Sequence, residues 1–189
     1  APGKVVIGSD SHSTSYGAVG AFGCGMGSTD IALTWATGQT WMRVPQTIRI
    51  IAHGRFRPWV TAKDLALKIC KELTIAGANY MAVEYHGLDW LRLDERQTIS
   101  SMAIEVGAKA GIFPPTGEIF NGKTVPDWLY IDPDAQYFRT IDIDLDDLEP
   151  QISLPHAVDN VVDLSTVSGA RITQVFLGTC TNARYADLK

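Results

Sequence analysis

Residues 47–52 read Thr-Ile-Arg-Ile-Ile-Ala, residues 61–73 read TAKDLALKICKEL, and residues 80–85 read Tyr-Met-Ala-Val-Glu-Tyr. The first and third segments are short and rich in apolar residues, which is typical of strands. The middle segment opens with Thr61 and Asp64 at the spacing of a capping box, which predicts the start of a helix. Its apolar residues share one helical face: Leu65, Ile69 and Leu73. The strand–helix–strand order predicts an α/β fold with parallel strands.

Similar elements are predicted on both sides of this unit. Buried strands are expected at 4–7 and 174–178, and the alternating residues 139–145 predict a half-exposed strand. Ser28 is expected to cap a helix that ends at Gly38. Asp94 and Gln97 repeat the capping spacing before a helix that runs to about Lys109. The remaining predictions are a helix-like stretch at 184–188 and a loop with short elements at 111–138.

Composition narrows the class of protein. The chain has 189 residues, 46% of them apolar, and a formal net charge of −5. These values are typical of globular proteins and exclude a disordered chain, while no apolar run reaches the roughly 18 residues of a membrane span. The acidic balance argues against nucleic acid as a partner. Three widely spaced cysteines do not form a disulfide framework, so a reducing, cytoplasmic compartment is expected.

The first candidate site is Asp10-Ser11-His12, which follows the first predicted strand. Open α/β sheets bind ligands beyond the carboxyl ends of their strands. If the backbone stays extended, Asp10 and His12 point the same way and Ser11 points away, which suits a carboxylate orienting an imidazole for acid–base work. The alternative is a polar turn that caps backbone groups, and residue types alone slightly favour it.

The glycine-rich loop Gly23-Cys24-Gly25-Met26-Gly27-Ser28-Thr29-Asp30 is the second candidate. It is similar to a phosphate-binding loop that opens a helix. The G-x-G-x-x-G pattern is incomplete, because Asp30 stands where the third glycine belongs. Close backbone packing is the favoured alternative, and dinucleotide binding is disfavoured.

Cys180 in Gly-Thr-Cys-Thr-Asn is the third candidate. It follows a predicted strand and precedes a predicted helix, a position that favours a thiolate able to bind metal or act as a nucleophile. The alternative is an inert buried cysteine. Cys24 and Cys70 are expected to be packing residues. With no C-x-x-C pair in the chain, Cys180 cannot hold an iron–sulfur cluster by itself.

Ser101 and Glu105 form the fourth candidate, because residues four apart share a helical face. For this pair, a solvated polar face is the default interpretation. Ile99, Met102 and Val106 are expected on the opposite, apolar side of the helix. An acidic group is expected on the wet side of an edge strand: Asp142, Asp144, Asp146 and Asp147. The other histidines are taken as structural: His53, His86 and His156.

Three of these motifs together resemble the aconitase superfamily. Gly8-Ser9-Asp10-Ser11-His12-Ser13, the glycine loop and Gly178-Thr179-Cys180-Thr181-Asn182 occur in that family's order, with the helix at 98–108 between them. Val83-Glu84-Tyr85-His86-Gly87 and Ala62-Lys63-Asp64 agree as well. The segments 40–45, 147–151 and 155–160 are most similar to large subunits of 3-isopropylmalate dehydratase and homoaconitase. The resemblance covers essentially the whole chain.

The resemblance implies a hydro-lyase with a [4Fe-4S] cluster whose open iron polarises a substrate hydroxyl and carboxylate. Cys180 would be the first cluster ligand, and Asp10, Ser11 and His12 would surround the reacting hydroxyl or water. Glu105 would lie near the open iron. Ser101 stands where the family usually has asparagine, and it would bind substrate through a shorter side chain.

The resemblance also implies three-layer α/β/α domains and an internal fragment of a multidomain large subunit. Residues 1–46 would end a first domain, 47–158 would form a second, and 159–189 would start a third. The other two cluster cysteines and a swivelling domain, either a separate small subunit or a fused C-terminal domain, would lie outside these residues. The fragment by itself is expected to be inactive.

The substrate would be a hydroxylated di- or tricarboxylic acid. The 3-isopropylmalate dehydratase reaction of leucine biosynthesis is favoured, with homoaconitase, aconitase and dimethylmalate dehydratase as alternatives. Neither nucleic acid nor a membrane is expected as a partner. A cluster-free module that binds RNA or nucleotide is the non-enzymatic alternative, and the net charge of −5 counts against its RNA-binding form.

Overall fold

The computed structural model describes residues 2–115, 118–120 and 123–188. Within these ranges, ten strands run in chain order: β1 Val5–Gly8, β2 Phe22–Gly25, β3 Thr47–His53, β4 Ala82–His86, β5 Ala110–Ile112, β6 Glu118–Phe120, β7 Lys123–Thr124, β8 Arg139–Asp144, β9 Gln151–Ser153 and β10 Val161–Asp163. Four α-helices accompany them: α1 Ser28–Thr37, α2 Ala62–Leu73, α3 Leu93–Met102 and α4 Tyr185–Leu188. Short 3-10 helices span Ser11–Val19, Ala103–Val106, Asp127–Leu129 and Leu164–Val167.

The central sheet has the strand order β5-β4-β3-β8, and every neighbouring pair is parallel. Ile48 and Ile50 of β3 are fully buried, whereas Arg49 between them is only partly buried, so one face of the sheet carries the core. Helices α2 and α3 contact each other and bring most of the remaining core residues to this sheet. The α/β class and the parallel strands predicted from 47–85 are confirmed. Strand β8 lies at the sheet edge with its aspartates exposed, which is also as predicted.

Helix α2 begins as its sequence predicts. The Asp64 carboxylate accepts hydrogen bonds from the backbone N–H of Thr61 at 2.7 Å and from its hydroxyl at 2.8 Å. The second oxygen of the same carboxylate accepts from the backbone N–H of Gln151 at 2.7 Å. Asp64 therefore both starts α2 and ties it to β9, which pairs with β10.

Residues 11–19 form a nine-residue 3-10 helix that the sequence did not predict. The glycine-rich loop predicted at 23–30 is wrong at both ends, because Phe22–Gly25 form strand β2 and α1 begins at Ser28. Strand β2 then follows and pairs in parallel with β1. Strand β1 was predicted to be buried, and this is wrong because Val5 is 68% exposed. Gly17 allows the 3-10 helix to lie directly on β5: a Cβ atom there would lie 1.8 Å from the carbonyl oxygen of Gly111. The helix is also bonded to the chain just after β5, where the N–H of Phe113 donates to the Gly17 carbonyl at 2.9 Å.

Two helix starts differ from the predictions. Gly27, not Ser28, is the N-cap of α1, and Ser28 is already helical. Arg92 is the N-cap of α3, where its backbone N–H donates to Glu95 at 2.8 Å, so the predicted Asp94–Gln97 cap is wrong. Glu95 is the capping partner because it lies three residues after Arg92, where its carboxylate can accept a hydrogen bond from the Arg92 N–H.

The end of α3 also differs. The α-helix stops at Met102 and tightens into the 3-10 turn Ala103–Val106, instead of running to Lys109. Gly107, with φ of +81°, ends this turn, and its N–H bonds back to the Ile104 carbonyl. The switch matters for the site because Glu105 lies in the tighter turn.

The predicted buried strand at 174–178 is wrong. These residues form neither strand nor helix, and Val175, Phe176 and Leu177 are at least 70% exposed. A strand needs a neighbouring strand for its backbone hydrogen bonds, and none of the described residues pairs with this segment. The predicted stretch 184–188 does contain helix α4. No helix in the described part of the chain is long and apolar enough to cross a membrane.

Candidate active site

Asp10, Ser11 and His12 lie just after β1, where the 3-10 helix begins. The Asp10 carboxylate caps this helix by accepting from the backbone N–H of His12 at 2.7 Å. The extended backbone assumed from sequence is therefore wrong: the chain turns at once, and Ser11 Oγ lies 3.3 Å from His12 Nδ1. The Asp10 carboxylate caps the helix and also lies 3.6 Å from the His12 ring. The predicted capping role of Asp10 and its predicted acid–base role therefore do not exclude each other.

The His12 imidazole lies between two carboxylates. Its Nδ1 is 3.6 Å from Asp10 Oδ1, and its Nε2 is 3.4 Å from Glu105 Oε1. The His12 side chain is 22% exposed and that of Glu105 is 34% exposed, so solvent and a small molecule can both reach the pair. His12 and Glu105 are distant in sequence, and their 3.4 Å separation is slightly longer than the roughly 2.6–3.2 Å reach of a proton-transferring hydrogen bond.

Ser101 occupies a different environment from Glu105, although the two are four residues apart. Ser101 is completely buried, so the predicted solvated face is wrong at this position. Its carbonyl accepts from the Thr14 hydroxyl at 3.2 Å, which binds α3 to the 3-10 helix that starts at Ser11. The predicted apolar side is confirmed, with Ile99, Met102 and Val106 buried.

Cys180 is exposed and lies in a loop that contacts α3. The next residue, Thr181, is buried; its hydroxyl is 3.3 Å from Ser101 Oγ, and its carbonyl accepts from the Thr98 hydroxyl at 3.1 Å. The strand predicted before Cys180 is absent, and helix α4 starts only at Tyr185 and has four residues, so the helix N-terminus expected to favour a thiolate does not support Cys180.

The other two cysteines are buried, as predicted. Burial raises the pKa of the Cys70 thiol to about 12, and it also raises the pKa of the Cys24 thiol. Both are therefore protonated near neutral pH and unsuited to bind a metal, because the thiolate is the metal ligand. Cys180 is the one exposed thiol of the three.

A cavity of about 280 Å³ lies beside Ser11. Its wall combines the glycine segment after β2 with Ser9, Ile104, Asp30 and Lys109. The size suits a small polar molecule. Asp30 and Lys109 both line this cavity, so its charged side chains do not specifically favour a phosphate group.

The described residues fit one ligand of an iron–sulfur cluster but not a complete set. Cys180 supplies an exposed thiol, whereas Cys24 and Cys70 are buried and protonated. Within residues 2–115, 118–120 and 123–188, no group of three or more His, Cys, Asp or Glu side chains is arranged to hold a metal ion. A cluster bound through Cys180 would need further ligands from elsewhere.

Three residues near Cys180 were not identified from the sequence as site residues. Thr98, Thr181 and Arg184 form a hydrogen-bonded group between α3 and the Cys180 loop. Thr181 was part of the Gly-Thr-Cys-Thr-Asn motif, and Thr98 lies three residues before Ser101 on the same helix, so both carried a weak positional signal. Arg184 carried none, because an isolated arginine after a loop is normally a solvated residue.

The fold and the site together define a class: an α/β protein that brings an imidazole and two carboxylates to one end of a small parallel strand pair, with an exposed thiol in a loop that contacts helix α3. The chain belongs to the aconitase family. The profile of that family, described as aconitate hydratase, matches residues 1–171.

Curated relatives agree with this assignment. The homoaconitase large subunit of Thermus thermophilus is 55% identical over 191 residues, which cover 100% of this chain and 46% of the relative. The 3-isopropylmalate dehydratase large subunit of Herpetosiphon aurantiacus is 54% identical, covering 99% of this chain and 44% of the relative. Large subunit 1 of the same enzyme from Deinococcus radiodurans is 51% identical, with 99% and 44% covered. The chain thus spans about half the length of the curated relatives it matches.

Proposed function

We propose that this chain is part of the large subunit of an iron–sulfur hydro-lyase that dehydrates and rehydrates a hydroxylated di- or tricarboxylic acid. The observation that carries the proposal is the position of the His12 ring between Asp10 and Glu105, at 3.6 and 3.4 Å. The Cys180 loop adds support, because Thr181 contacts the helix that leads into the Glu105 turn. Similarity to 3-isopropylmalate dehydratase and homoaconitase large subunits favours these two reactions.

The residues of this chain have separate tasks in such a reaction. A hydroxyl group leaves as water only if it receives a proton, and the reverse addition requires that proton to be accepted again. His12 Nε2 and Glu105 Oε1 are close enough to hold this proton between them after a small movement, since catalytic contacts often tighten when substrate binds. Asp10 fixes the ring through the His12 backbone, and Ser11 opens onto the adjoining cavity.

Cys180 would hold one iron of a [4Fe-4S] cluster, with its other two cysteine ligands outside this chain. When bound, the cluster would supply Lewis-acid polarisation of the substrate hydroxyl. Ser101 was expected to bind substrate, but its side chain is fully buried and its hydroxyl lies 3.3 Å from Thr181 Oγ1, so it would hold the Cys180 loop on α3 instead. A swivelling domain, as a small subunit or a fused segment, would complete the site; the relatives are named large subunits, which supports a small-subunit partner. The domain limits 1–46, 47–158 and 159–189 belong to the same proposal.

The test is a direct assay of the full-length protein. It is purified without oxygen, reconstituted with iron and sulfide, combined with its small subunit, and offered 2-isopropylmalate, homocitrate, citrate and dimethylmalate. Dehydration creates a carbon–carbon double bond beside a carboxylate, and we expect its ultraviolet absorbance to rise with one of these acids. A fully reconstituted protein that changes none of them would contradict the proposal.

Replacing Glu105 by glutamine is expected to lower kcat about 100-fold in the full-length enzyme with little change in KM. The amide keeps the shape of the side chain but can no longer exchange a proton with His12, and general acid–base contributions are about 10²–10⁴-fold. The matched control is Glu72→Gln, which removes the same charge from an i,i+4 ion pair with Lys68 on α2. A Glu105→Gln enzyme with unchanged kcat would remove Glu105 from the mechanism.

A further inference from the structure

We propose that Arg184 is a positioning residue that holds the Cys180 loop on helix α3; its bearing on the metal site rests on the function proposed above. One nitrogen of its guanidinium, Nη1, donates to the Thr98 hydroxyl at 2.8 Å and to the Thr181 carbonyl at 2.9 Å. Arg184 therefore contacts both sides of the junction between the loop and the helix. Arg184 thereby determines where the Cys180 ligand lies.

The junction is buried and its polar atoms are satisfied by one another. Thr98 and Thr181 are 3% and 6% exposed. The Thr98 hydroxyl accepts from Arg184 and can give its single proton to the Thr181 carbonyl at 3.1 Å or to the Asp94 carbonyl at 3.2 Å. Hydrogen bonds with a charged donor are about twice as strong as neutral ones. Arg184 thus supplies the strongest contact in this group.

The loop depends on this junction because the segment before Cys180 has little support. Residues 171–179 form no helix or strand, and Phe176 is 81% exposed. Cys180 is itself exposed, whereas Thr181 directly after it is buried against α3. The position of the Cys180 thiol is therefore set from its C-terminal side, by Thr181 and Arg184.

The same helix links the thiol to the acid–base group. Ser101 of α3 accepts from Thr14, which lies two residues after His12. The turn that follows α3 carries Glu105. The Arg184 contact consequently joins the Cys180 loop to the elements that carry His12 and Glu105, and a loss of this contact would separate the two halves of the site.

The experiment compares Arg184→Gln and Arg184→Lys with wild type in the full-length protein. Hydrogen exchange of the peptide around 179–184 is measured without the cluster, and iron release to a chelator is measured after reconstitution. For Arg184→Gln we expect exchange and iron release to be about tenfold faster, because the two charge-assisted hydrogen bonds that Nη1 shares between Thr98 and Thr181 are lost. Arg184→Lys, which keeps the charge without the planar fork, should be intermediate.

Two further variants exclude a general loss of stability. Thr98→Val removes the hydroxyl that Arg184 contacts, and it should accelerate exchange and iron release in the same way. Arg171→Gln removes an exposed arginine charge upstream of Cys180 and should leave both rates unchanged. The thermal midpoint should shift by no more than about 2–4 °C in any of the four variants, because each loses only local hydrogen bonds.

The outcomes separate this inference from the proposed function. If the wild-type protein takes up no iron, the proposed function fails, and hydrogen exchange still decides whether Arg184 holds the loop. Wild-type exchange in Arg184→Gln would overturn the inference whatever the iron content. Faster exchange with unchanged iron release would also overturn it, because the loop would then be held without positioning the ligand.

Discussion

Replacing Cys180 by alanine in the full-length protein is expected to abolish cluster retention and to lower kcat/KM by at least about 1000-fold. A Lewis-acidic metal contributes several kcal/mol to stabilising the transition state, and each 1.36 kcal/mol is a factor of ten in rate. Cys180 is the exposed thiol among the three cysteines, and an alanine cannot coordinate iron. Iron and sulfide content, the visible absorbance of the cluster and the rate of dehydration are the quantities to measure.

Cys24→Ala is the matched control for this variant. Cys24 is buried in β2, and burial raises the pKa of its thiol, so it does not compete for metal. Iron content and absorbance should stay at the wild-type level when Cys24 is replaced. An intact Cys180→Ala protein that retains its cluster and its activity would refute the proposed role of this residue, and with it the assignment of the whole loop.

Sequence reasoning succeeded where a local pattern determines the structure. Residues 47–52 form a strand, as their run of apolar residues predicts, and Thr61 with Asp64 begins a helix because the capping contacts lie within three residues. The alternation at 139–145 also predicts β8 correctly, since an edge strand with one wet face has the simplest possible pattern. These elements build the sheet but contribute none of the candidate site residues.

The prediction failed where the structure depends on distant contacts. Residues 11–19 are small and polar and have no helical periodicity, and their 3-10 helix is stabilised by packing on β5 nearly a hundred residues later. The apolar segment 174–178 has a strand pattern without a pairing partner among the described residues. Composition and residue spacing reveal neither the packing of residues 11–19 on β5 nor the lack of a pairing strand for residues 174–178.

The candidate site could be predicted from the sequence only in part. Asp10, Ser11, His12, Glu105 and Cys180 were each named from the sequence, yet spacing alone could not decide between their functional and ordinary interpretations. The resemblance to the aconitase superfamily shifted that balance, and the fold then brought His12 and Glu105 to 3.4 Å. Arg184 and Thr98 could not be predicted as site residues, because their hydrogen bond forms only when the Cys180 loop packs on helix α3.

Replacing Gly17 by alanine is expected to destabilise the protein by about 3 kcal/mol and to disturb the site. A Cβ atom at this position would lie 1.8 Å from the Gly111 carbonyl oxygen and 2.7 Å from its carbon. Backbone atoms in a strand cannot move aside as a flexible side chain can, so the 3-10 helix would have to lift from β5. His12, near the start of this helix, would then move away from Glu105.

Denaturant unfolding of the full-length protein and hydrogen exchange at Phe113 measure the effect, because the Phe113 amide donates to the Gly17 carbonyl. Gly27→Ala is the control: its Cβ would meet within 4 Å only the carboxylate end of the flexible Asp30 side chain, at 3.2 Å. That variant should lose only a fraction of the stability lost by Gly17→Ala and keep the Phe113 amide protected. Equal losses in both variants, or an unchanged Phe113 exchange rate in Gly17→Ala, would show that the 3-10 helix is not held on β5 by this close approach. His12 would then need another explanation for its position beside Glu105.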